Sequence, residues 1–304
     1  MLINIENTKK TLDQIRNGTI KEGLKLDIPE IDNYIRFKPT NFNVILGHAN
    51  VGKTTMILFL MLLYTRKHGI KWLIFSSENE SHSIVRKLLE FLALKPLEKI
   101  ESDEYDKHID FINTHFKIVD NSSLYTYKKL IELGQSIKDA WNYQGFLIDP
   151  YNSLIKDHEL MKGVGSHEYD YQATSEFRLF CMKNNVTIWL NTHANTTALR
   201  VKHPIGHEMA GHPIPPLASD VEGGGKFVNR SSDFWVIHRY LQSPHDWINT
   251  YIHVRKVKEV ETGGRPTPID DPIKFTSIPN NVGFEINGKK LIDVPLRDQI
   301  NMPF

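Results

Sequence analysis

The segment 47–54, GHANVGKT, has the residue types and spacing of a loop that binds phosphate groups. Two glycines, Gly47 and Gly52, allow the backbone to turn tightly and to aim several N–H groups at one anion. Lys53 would place its ammonium on the β- and γ-phosphates of a nucleotide, and Thr54 would offer its hydroxyl to a Mg²⁺ ion. The chemistry expected here is therefore the binding and cleavage of a nucleotide phosphate.

The stretches on either side of this loop support the same prediction. Residues 43–47 form a short apolar run suited to a buried parallel strand, and residues 54–66 are apolar and long enough for a helix. A helix that begins at the loop adds the positive end of its dipole to the phosphate site. ATP and Mg²⁺ are therefore the predicted cofactors. The predicted nucleotide contacts are Gly47, His48, Ala49, Asn50, Val51, Gly52, Lys53, Thr54 and Thr55.

An acidic residue at the tip of a neighbouring strand would complete the metal site. Asp149 ends the apolar run 145–149, and the carboxyl ends of parallel strands lie beside the phosphate loop. We predict that Asp149 and Thr54 hold the metal. Asp120 also ends a predicted strand, 115–120, but that run is less apolar and is more typical of a peripheral strand.

Hydrolysis of ATP also needs a group that activates or positions the attacking water. Glu78 follows the apolar run 72–77 and would therefore lie at a second strand tip. Glu80 is the competing candidate. A glutamate after a strand is more often a solvated residue at the start of a helix, so the assignment of Glu78 depends on its context.

Strands and helices alternate along the first two thirds of the chain. This order is typical of an α/β fold with a mostly parallel, twisted sheet and helices on both faces. Residues 194–230 are rich in Gly, Pro and His and predict a long functional loop with little regular structure. Two later runs, 233–240 and 247–257, predict strands that could pair antiparallel as a hairpin. The earlier predicted strands are 43–47, 72–77, 115–120, 145–149 and 186–192, and the predicted helices are 7–18, 54–66, 81–94, 125–140 and 168–184.

The composition is that of an ordinary globular domain: of 304 residues, 40% are hydrophobic and 24% are charged. The longest apolar run, 56–64, is too short to span a membrane. The single cysteine, Cys181, excludes an intramolecular disulfide and suits a reducing cytoplasm. The net charge of +1 argues against a surface that binds nucleic acid broadly, although a ring can hold a strand with a few internal cations.

The order of these motifs resembles the DnaB-like family of hexameric replicative helicases, within the RecA-like P-loop NTPases. The resemblance covers residues 24–277. It implies that Glu78 is the catalytic base, that Asp149 holds Mg²⁺, and that His193 contacts the γ-phosphate and couples hydrolysis to DNA-binding loops. With Lys53, these are the predicted catalytic residues. The segments that carry the resemblance are LKLDIPEIDNYI (24–35), GHANVGKTT (47–55), FSSEN (75–79), FLIDPYNSL (146–154), WLNTHANT (189–196) and SDVEGGGKFVNRSSDFWVIHR (219–239).

The function implied by this resemblance is that of an ATP-dependent replicative DNA helicase. Such a protein is a ring-forming homo-oligomer, a hexamer in the family, that hydrolyses ATP and translocates 5′ to 3′ on single-stranded DNA. A primase or a helicase loader is the implied protein partner. Two other functions use the same core and stay open: a RecA-type strand-exchange recombinase, and a regulatory or assembly ATPase that acts on a protein partner.

The resemblance also implies a division of the chain. Residues 1–23 would be a linker helix that docks on a neighbouring subunit, residues 24–290 the RecA-like ATPase domain, and residues 291–304 a C-terminal tail. The family's primase-binding N-terminal domain is expected to be absent. This would suit a phage- or plasmid-encoded member that acts in the cytoplasm, the host cytoplasm if it is phage-encoded.

Basic residues on two loops are the predicted DNA contacts, because in the family these loops face a central channel. Their side chains, together with backbone N–H groups of the run 223–225, would follow the phosphates of the strand. The predicted DNA-binding residues are Lys156, Lys162, Arg200, Lys202, Gly224 and Lys226.

The family also sends a Lys-x-Arg pair from a late strand into the active site of the adjacent subunit. The register of this sequence matches Lys256 and Lys258 to the pair, so the second position would be a lysine. Lysine is a weaker bidentate clamp on phosphate than arginine. Arg255 is a further candidate, although strict alternation along a strand would point it to the face opposite Lys256. The assignment among the three stays open.

Overall fold

The computed structural model describes residues 5–163 and 165–292, which form one mixed sheet covered by helices on both faces. The strands are β1 (Phe42–Gly47), β2 (Trp72–Ser76), β3 (Phe116–Ile118), β4 (Gly145–Asp149), β5 (Thr187–His193), β6 (Asp233–His238), β7 (Asn249–Val257), β8 (Ile273–Ser277), β9 (Phe284–Ile286) and β10 (Lys289–Lys290). The helices are α1 (Ile5–Arg16), α2 (Pro29–Asp32), α3 (Lys53–His68), α4 (Ser81–Ala93), α5 (Ser102–His115), α6 (Tyr127–Trp141), α7 (His158–Met161), α8 (Ser166–Asn184) and α9 (Lys226–Arg230).

The strand order in the sheet is β10-β9-β8-β7-β6-β1-β5-β4-β2-β3. Strands β6, β1, β5, β4, β2 and β3 are parallel to one another, and β7 to β10 are antiparallel. The predicted α/β class, the mostly parallel sheet and the antiparallel late strands are therefore confirmed. Because β5 and β4 lie between β1 and β2, the carboxyl ends of these four strands are neighbours at one edge of the sheet.

Apart from the edge strand β3, the parallel strands are buried on both faces, so their alternate side chains enter two separate cores. In β1, Ile45 packs with α3 and α4, whereas Val44 and Leu46 pack with α6 and α8. Period-2 alternation is hidden in such a strand because both sets of side chains are apolar. The strand nevertheless forms where the sequence predicted it.

A row of three fully buried tryptophans crosses the sheet on the α3 side. The ring centroids of Trp72 and Trp189 are 4.7 Å apart, and those of Trp189 and Trp235 are 5.2 Å apart. Aromatic pairs at such distances contribute about 0.5–1.5 kcal/mol each beyond the burial of their area. The row ties β2, β5 and β6 together in the core that also contains α3.

Helix α3 is buried along most of its length, because the late strands cover the side that a surface helix would leave exposed. The ring of Phe59 packs edge-on against Phe284 of β9 at 5.0 Å. Leu291 and Ile292 are also buried in this core. The predicted tail boundary at residue 291 thus falls within packed structure, and residues 293–304 lie outside the described part of the chain.

Two parts of the fold differ from the sequence prediction. Helix α5 and the short strands β8 to β10 were not predicted; α5 is mostly polar and fully buries only Ile112. The segment 194–230 was predicted to have little regular structure, but it ends in helix α9 and many of its other backbone groups pair with one another. Residue 194 bridges 221, residue 202 bridges 213, and short 3-10 turns lie at Thr196–Arg200 and Ala218–Asp220.

Within the described residues, no helix is long and apolar enough to cross a membrane.

Candidate active site

The phosphate loop links the end of β1 to the start of α3, and its two glycines serve different purposes. Gly52 has a left-handed backbone with φ of 78°, which favours glycine. At Gly47 the constraint is space, since an added Cβ would lie 2.6 Å from the carbonyl oxygen of Ile237 on the adjacent β6. Asn50 is also left-handed, at φ of 62°. The predicted tight turn is therefore present, with Gly47 required for close strand packing.

Lys53 begins α3 and points its ammonium back into the loop. Its Nζ donates to the carbonyl oxygens of His48 at 2.7 Å and Gly47 at 3.1 Å. Burial lowers the pKa of Lys53 to about 8, while the charges of Asp149 and Glu78 oppose the shift. A phosphate group in the loop would offer this lysine a stronger partner than two carbonyls.

Asp149 and Thr54, the two predicted metal ligands, lie in direct contact. The hydroxyl of Thr54 donates to Oδ2 of Asp149 at 2.7 Å, and the side-chain amide of Asn191 on β5 donates to Oδ1. Burial raises the pKa of the Asp149 carboxyl, and these two hydrogen bonds act against the rise. The sequence analysis did not identify Asn191. Its position near the end of β5, the strand next to Asp149 on β4, is the signal that could have identified it.

His193 connects Lys53 to Glu78. Its Nδ1 lies 3.4 Å from the Lys53 ammonium, and its Nε2 lies 3.2 Å from Oε1 of Glu78. Because an ammonium can only donate, Nδ1 accepts the hydrogen bond from Lys53. The Nε2–H group then donates a hydrogen bond to the Glu78 carboxylate. The structure thus brings together the four residues predicted to be catalytic, Lys53, Glu78, Asp149 and His193.

The backbone around His193 ties this site to the long loop 194–225. Oδ1 of Asn152, just after β4, accepts from the backbone N–H of His193 at 3.0 Å and from the Thr192 hydroxyl at 2.9 Å. The amide of Asn152 donates to Glu222 at 3.0 Å, and the Glu222 N–H donates to the His193 carbonyl at 3.0 Å. The loop therefore leaves and returns beside His193. Asn152 was not singled out in the sequence.

A pocket of about 190 Å³ opens beside the phosphate loop, lined mainly by apolar and aromatic atoms. Val51 forms one wall, and His238, Arg239 and Tyr240 at the end of β6 form another. Burial lowers the pKa of His238 to about 3, so this ring is neutral near pH 7. Arg239 lies against Gly52, where an added Cβ would be 3.4 Å from its guanidinium. A planar group attached to a phosphate in the loop would fit here.

The two rival carboxylates are placed differently from Glu78. Asp120 follows β3 at the far edge of the sheet, and its carboxylate accepts from the N–H and hydroxyl of Ser122. Glu80 is exposed at the N-cap position of α4. Of these three carboxylates, Glu78 is the one for which the described structure shows a contact with His193.

Lys226, predicted to contact DNA, lies inside the fold. Its ammonium is 3.2 Å from Asp170 on α8, and its side chain is only 3% exposed. Lys156 reaches the same carboxylate at 3.3 Å, and the Tyr151 hydroxyl donates to it at 2.7 Å. This placement corrects the expectation for Lys226, because a buried ammonium paired with Asp170 does not face a nucleic acid. Sequence spacing offered no sign of a shared partner on α8.

The remaining predicted DNA contacts lie nearer the surface. Arg200 and Lys202 have exposed side chains on the loop 194–225, and Gly224 has φ of 95° in the run before α9. Lys162 is exposed and pairs with Glu159 at 2.6 Å. Their roles stay predictions.

The three candidates for a residue acting on a neighbouring subunit differ in their surroundings. Lys256 donates to the carbonyl oxygens of Val228 at 2.6 Å and Ser231 at 2.7 Å at the end of α9, so its ammonium is already engaged. This corrects the expectation that Lys256 is available for a phosphate. Arg255 lies half-buried at a shift of register between β6 and β7, so strict alternation does not hold there. Lys258 is exposed just after β7.

Comparisons with solved structures agree with this architecture. A solved ATPase domain matches with a TM-score of 0.73 at 12% identity, covering 93% of this chain and 99% of that one. A DnaB-like replicative helicase, described with its interactions with primase, matches with a TM-score of 0.72 at 12% identity, covering 93% and 67%. A KaiC-like protein from the hyperthermophilic archaeon Pyrococcus horikoshii OT3 matches with a TM-score of 0.54 at 15% identity, covering 87% and 98%. The fold is thus RecA-like, the fold of DnaB-like helicase ATPase domains, as the resemblance implied.

At the level of sequence, no protein-family model matches the chain. It is similar to the Twinkle homolog protein, chloroplastic/mitochondrial, of Arabidopsis thaliana, with 24% identity over 255 residues. That match covers 79% of this chain and 34% of the relative, so the chain spans about a third of the relative's length.

Proposed function

We propose that this chain is an ATP-hydrolysing motor of the DnaB-like replicative helicase kind, which forms a ring and moves 5′ to 3′ on single-stranded DNA. The observation that carries the proposal is the chain of contacts Lys53–His193–Glu78, set beside Asp149 and at the root of the long loop. The fold of the DnaB-like helicase neighbours supports it.

The oxygen atoms of Asp149 and Thr54 fit a Mg²⁺ ion, which prefers hard oxygen ligands. They lie 2.7 Å apart, and the carboxylate is fully buried next to the phosphate loop. A bound ion would neutralise charge on the phosphates. Lys53 would exchange its two carbonyl partners for the β- and γ-phosphates, and the loop N–H groups would hold the same anion.

Glu78 would act as the base in hydrolysis. A water oxygen attacks the γ-phosphorus, the bond to the β,γ-bridging oxygen breaks, and its electron pair leaves with ADP while Glu78 accepts the water's proton. Lys53 would move towards the phosphates when ATP binds, which changes its contact with His193. Since the backbone of His193 is bonded to Asn152 and Glu222, the loop 194–225 would respond.

The finer parts of the proposal follow from the same family likeness. Arg200, Lys202, Lys162 and Gly224 would contact the DNA strand in the channel. Helix α1 would dock on an adjacent subunit, since Ile5 and other apolar residues on it are exposed. A ring of six copies, a primase or loader partner, and action in the cytoplasm complete the proposal.

The test is the rate of ATP hydrolysis with and without single-stranded DNA, followed by unwinding of forked duplexes that carry either a 5′ or a 3′ loading tail. We expect stimulation by DNA and unwinding only with the 5′ tail. Stimulation with strand exchange in place of unwinding would favour a recombinase. Hydrolysis indifferent to DNA would favour an ATPase that acts on a protein, and absence of hydrolysis would contradict the proposal.

A further inference from the structure

The long loop 194–225 contains a small β-hairpin at residues 201–214. Lys202 and Pro213 are bridge partners in this hairpin, and backbone hydrogen bonds of 2.9 to 3.1 Å join the neighbouring residues on its two sides. Because the two sides are bonded to each other, a displacement of one side also moves the other.

Histidine and tyrosine rings hold the hairpin 201–214 against the end of β6. Nε2 of His203 lies 2.9 Å from the hydroxyl oxygen of Tyr240, and the ring of His212 packs edge-on against Tyr240 with centroids 6.1 Å apart. The rings of His203 and His207 are stacked with centroids 3.9 Å apart. Burial lowers the pKa of His203, and the neighbouring rings of His207 and His212 lower it further, so that His203 is neutral near pH 7. An uncharged ring therefore makes the contact with Tyr240.

The same hairpin forms part of the wall of the pocket beside the phosphate loop. His212 and Pro213 line this pocket, and so does Leu199, which lies in the 3-10 turn just before the hairpin. His48 lines the pocket from the phosphate loop, and its carbonyl oxygen accepts from the ammonium of Lys53 at 2.7 Å. One pocket thus contacts both the phosphate loop and the hairpin.

Two of the predicted DNA contacts lie next to this pocket wall. Arg200 directly follows Leu199 along the chain, and Lys202 is the bridge partner of Pro213. The side chains of Arg200 and Lys202 are exposed, whereas their neighbours line the pocket. A group that enters the pocket would therefore press on the segments that position these two cations.

We propose that the base of bound ATP packs against the pocket wall formed by Leu199, His212 and Pro213 and thereby sets the position of the hairpin 201–214. This rests on the proposed function. Arg200 and Lys202 move with the hairpin, so the base influences how tightly single-stranded DNA is held. Coupling between two binding sites typically changes an affinity by about 5- to 150-fold.

This coupling is separate from the one that runs through His193, because the base and the γ-phosphate are at opposite ends of ATP. ADP has the base but lacks the γ-phosphate, so it acts through the hairpin 201–214. Tripolyphosphate fills the phosphate loop without a base, so it acts through His193 only. His212 is a positioning residue in this scheme, since it acts on DNA through the hairpin.

The first experiment measures hydrogen exchange of the backbone amides of residues 201–214. The protein is compared without ligand, with Mg²⁺ and ADP, and with Mg²⁺ and tripolyphosphate, each at a concentration that saturates equilibrium binding. We expect ADP to slow exchange in the hairpin by about fivefold or more, and tripolyphosphate to leave it close to that of the free protein. Slowing of the same size by both ligands, or none by ADP, would overturn the inference.

The second experiment measures the affinity for a fluorescent single-stranded oligonucleotide with and without ADP. His212→Ala removes a ring from the pocket wall, and His212→Phe restores a flat ring. Leu217→Ala is the matched control, since the described structure places this exposed leucine on the same loop but outside the pocket wall. We expect the effect of ADP to be about fivefold or more in the parent, in His212→Phe and in Leu217→Ala, and less than about twofold in His212→Ala. Without nucleotide, His212→Ala should bind the oligonucleotide as the parent does, because Arg200 and Lys202 are retained.

The outcomes separate this inference from the proposed function. If ADP changes the DNA affinity of His212→Ala as much as that of the parent, the base does not act through the hairpin 201–214, and the proposed helicase function is unaffected. If the parent binds no single-stranded DNA at all, the proposed function is wrong, and the coupling to DNA is wrong with it.

Discussion

We expect the buried ion pair between Lys226 and Asp170 to stabilise the fold, and its surroundings indicate how much free energy of unfolding is lost when Lys226 is replaced. In Lys226→Met the apolar stem stays and the charge is lost, so the Asp170 carboxylate remains buried with one cation fewer. Removing one partner of a buried pair costs about 3–5 kcal/mol. Asp170 keeps the Tyr151 hydroxyl at 2.7 Å and Lys156 at 3.3 Å, so we expect the lower end, about 3 kcal/mol.

Lys156→Met is the matched control, because it removes a cation from the same carboxylate at a site that is 38% exposed. Partly exposed pairs contribute about 1 kcal/mol or less. Unfolding by urea, followed by the fluorescence of the buried tryptophans, should therefore separate the two variants clearly. Adding Asp170→Asn to Lys226→Met should recover part of the loss, since the double variant leaves no buried charge unpaired.

A different outcome would refute the structural role of Lys226. If Lys226→Met unfolds at the urea concentration of the parent, binds single-stranded DNA more weakly and shows a smaller dependence on salt, then Lys226 is a phosphate contact as the sequence first suggested. Equal destabilisation by Lys226→Met and Lys156→Met would show that burial does not distinguish the two lysines.

Two further predictions concern the phosphate site. His193→Ala should keep most ATP binding but lose the stimulation of ATP hydrolysis by single-stranded DNA, because His193 joins Lys53 to the loop 194–225. If the rate of ATP hydrolysis at saturating DNA matches that of the parent, His193 has no role in this coupling. The affinity of the free protein for ATP should fall as pH rises through about 8, because the lowered pKa of Lys53 means that this lysine loses its proton there instead of near 10.5. Equilibrium binding of an ATP analogue from pH 7 to 9 measures this change. A constant affinity over that range would show that Lys53 keeps its charge.

The parts of the fold and site predicted from the sequence are those encoded locally. The phosphate loop is a contiguous motif, and the strands that precede Glu78 and end at Asp149 are short runs of mainly apolar residues. The choice of Asp149 over Asp120 also depended on local composition, and the sheet order now explains it: Asp149 ends a central strand, whereas Asp120 follows a strand at the far edge.

The parts not predicted depend on contacts between distant segments. Lys226 pairs with Asp170 on α8, and Lys256 binds carbonyls at the end of α9; in each case a partner on another segment converts an expected surface cation into an engaged one. The shift of register between β6 and β7 likewise cannot be predicted from the alternation of side-chain directions along a single strand. Asn152 was not predicted to be part of the site, because an asparagine after a strand is usually only a turn residue.

Glu78, which His193 links to Lys53, is the proposed base for ATP hydrolysis. The most direct measurement is single-turnover hydrolysis of ATP by Glu78→Gln, with Glu80→Gln as control and ATP affinity measured on both. We expect hydrolysis to be slower by roughly a hundredfold or more in Glu78→Gln with ATP affinity unchanged, and to proceed at the parent rate in Glu80→Gln. Hydrolysis at the parent rate by Glu78→Gln, with the loss appearing in Glu80→Gln instead, would contradict this role of Glu78.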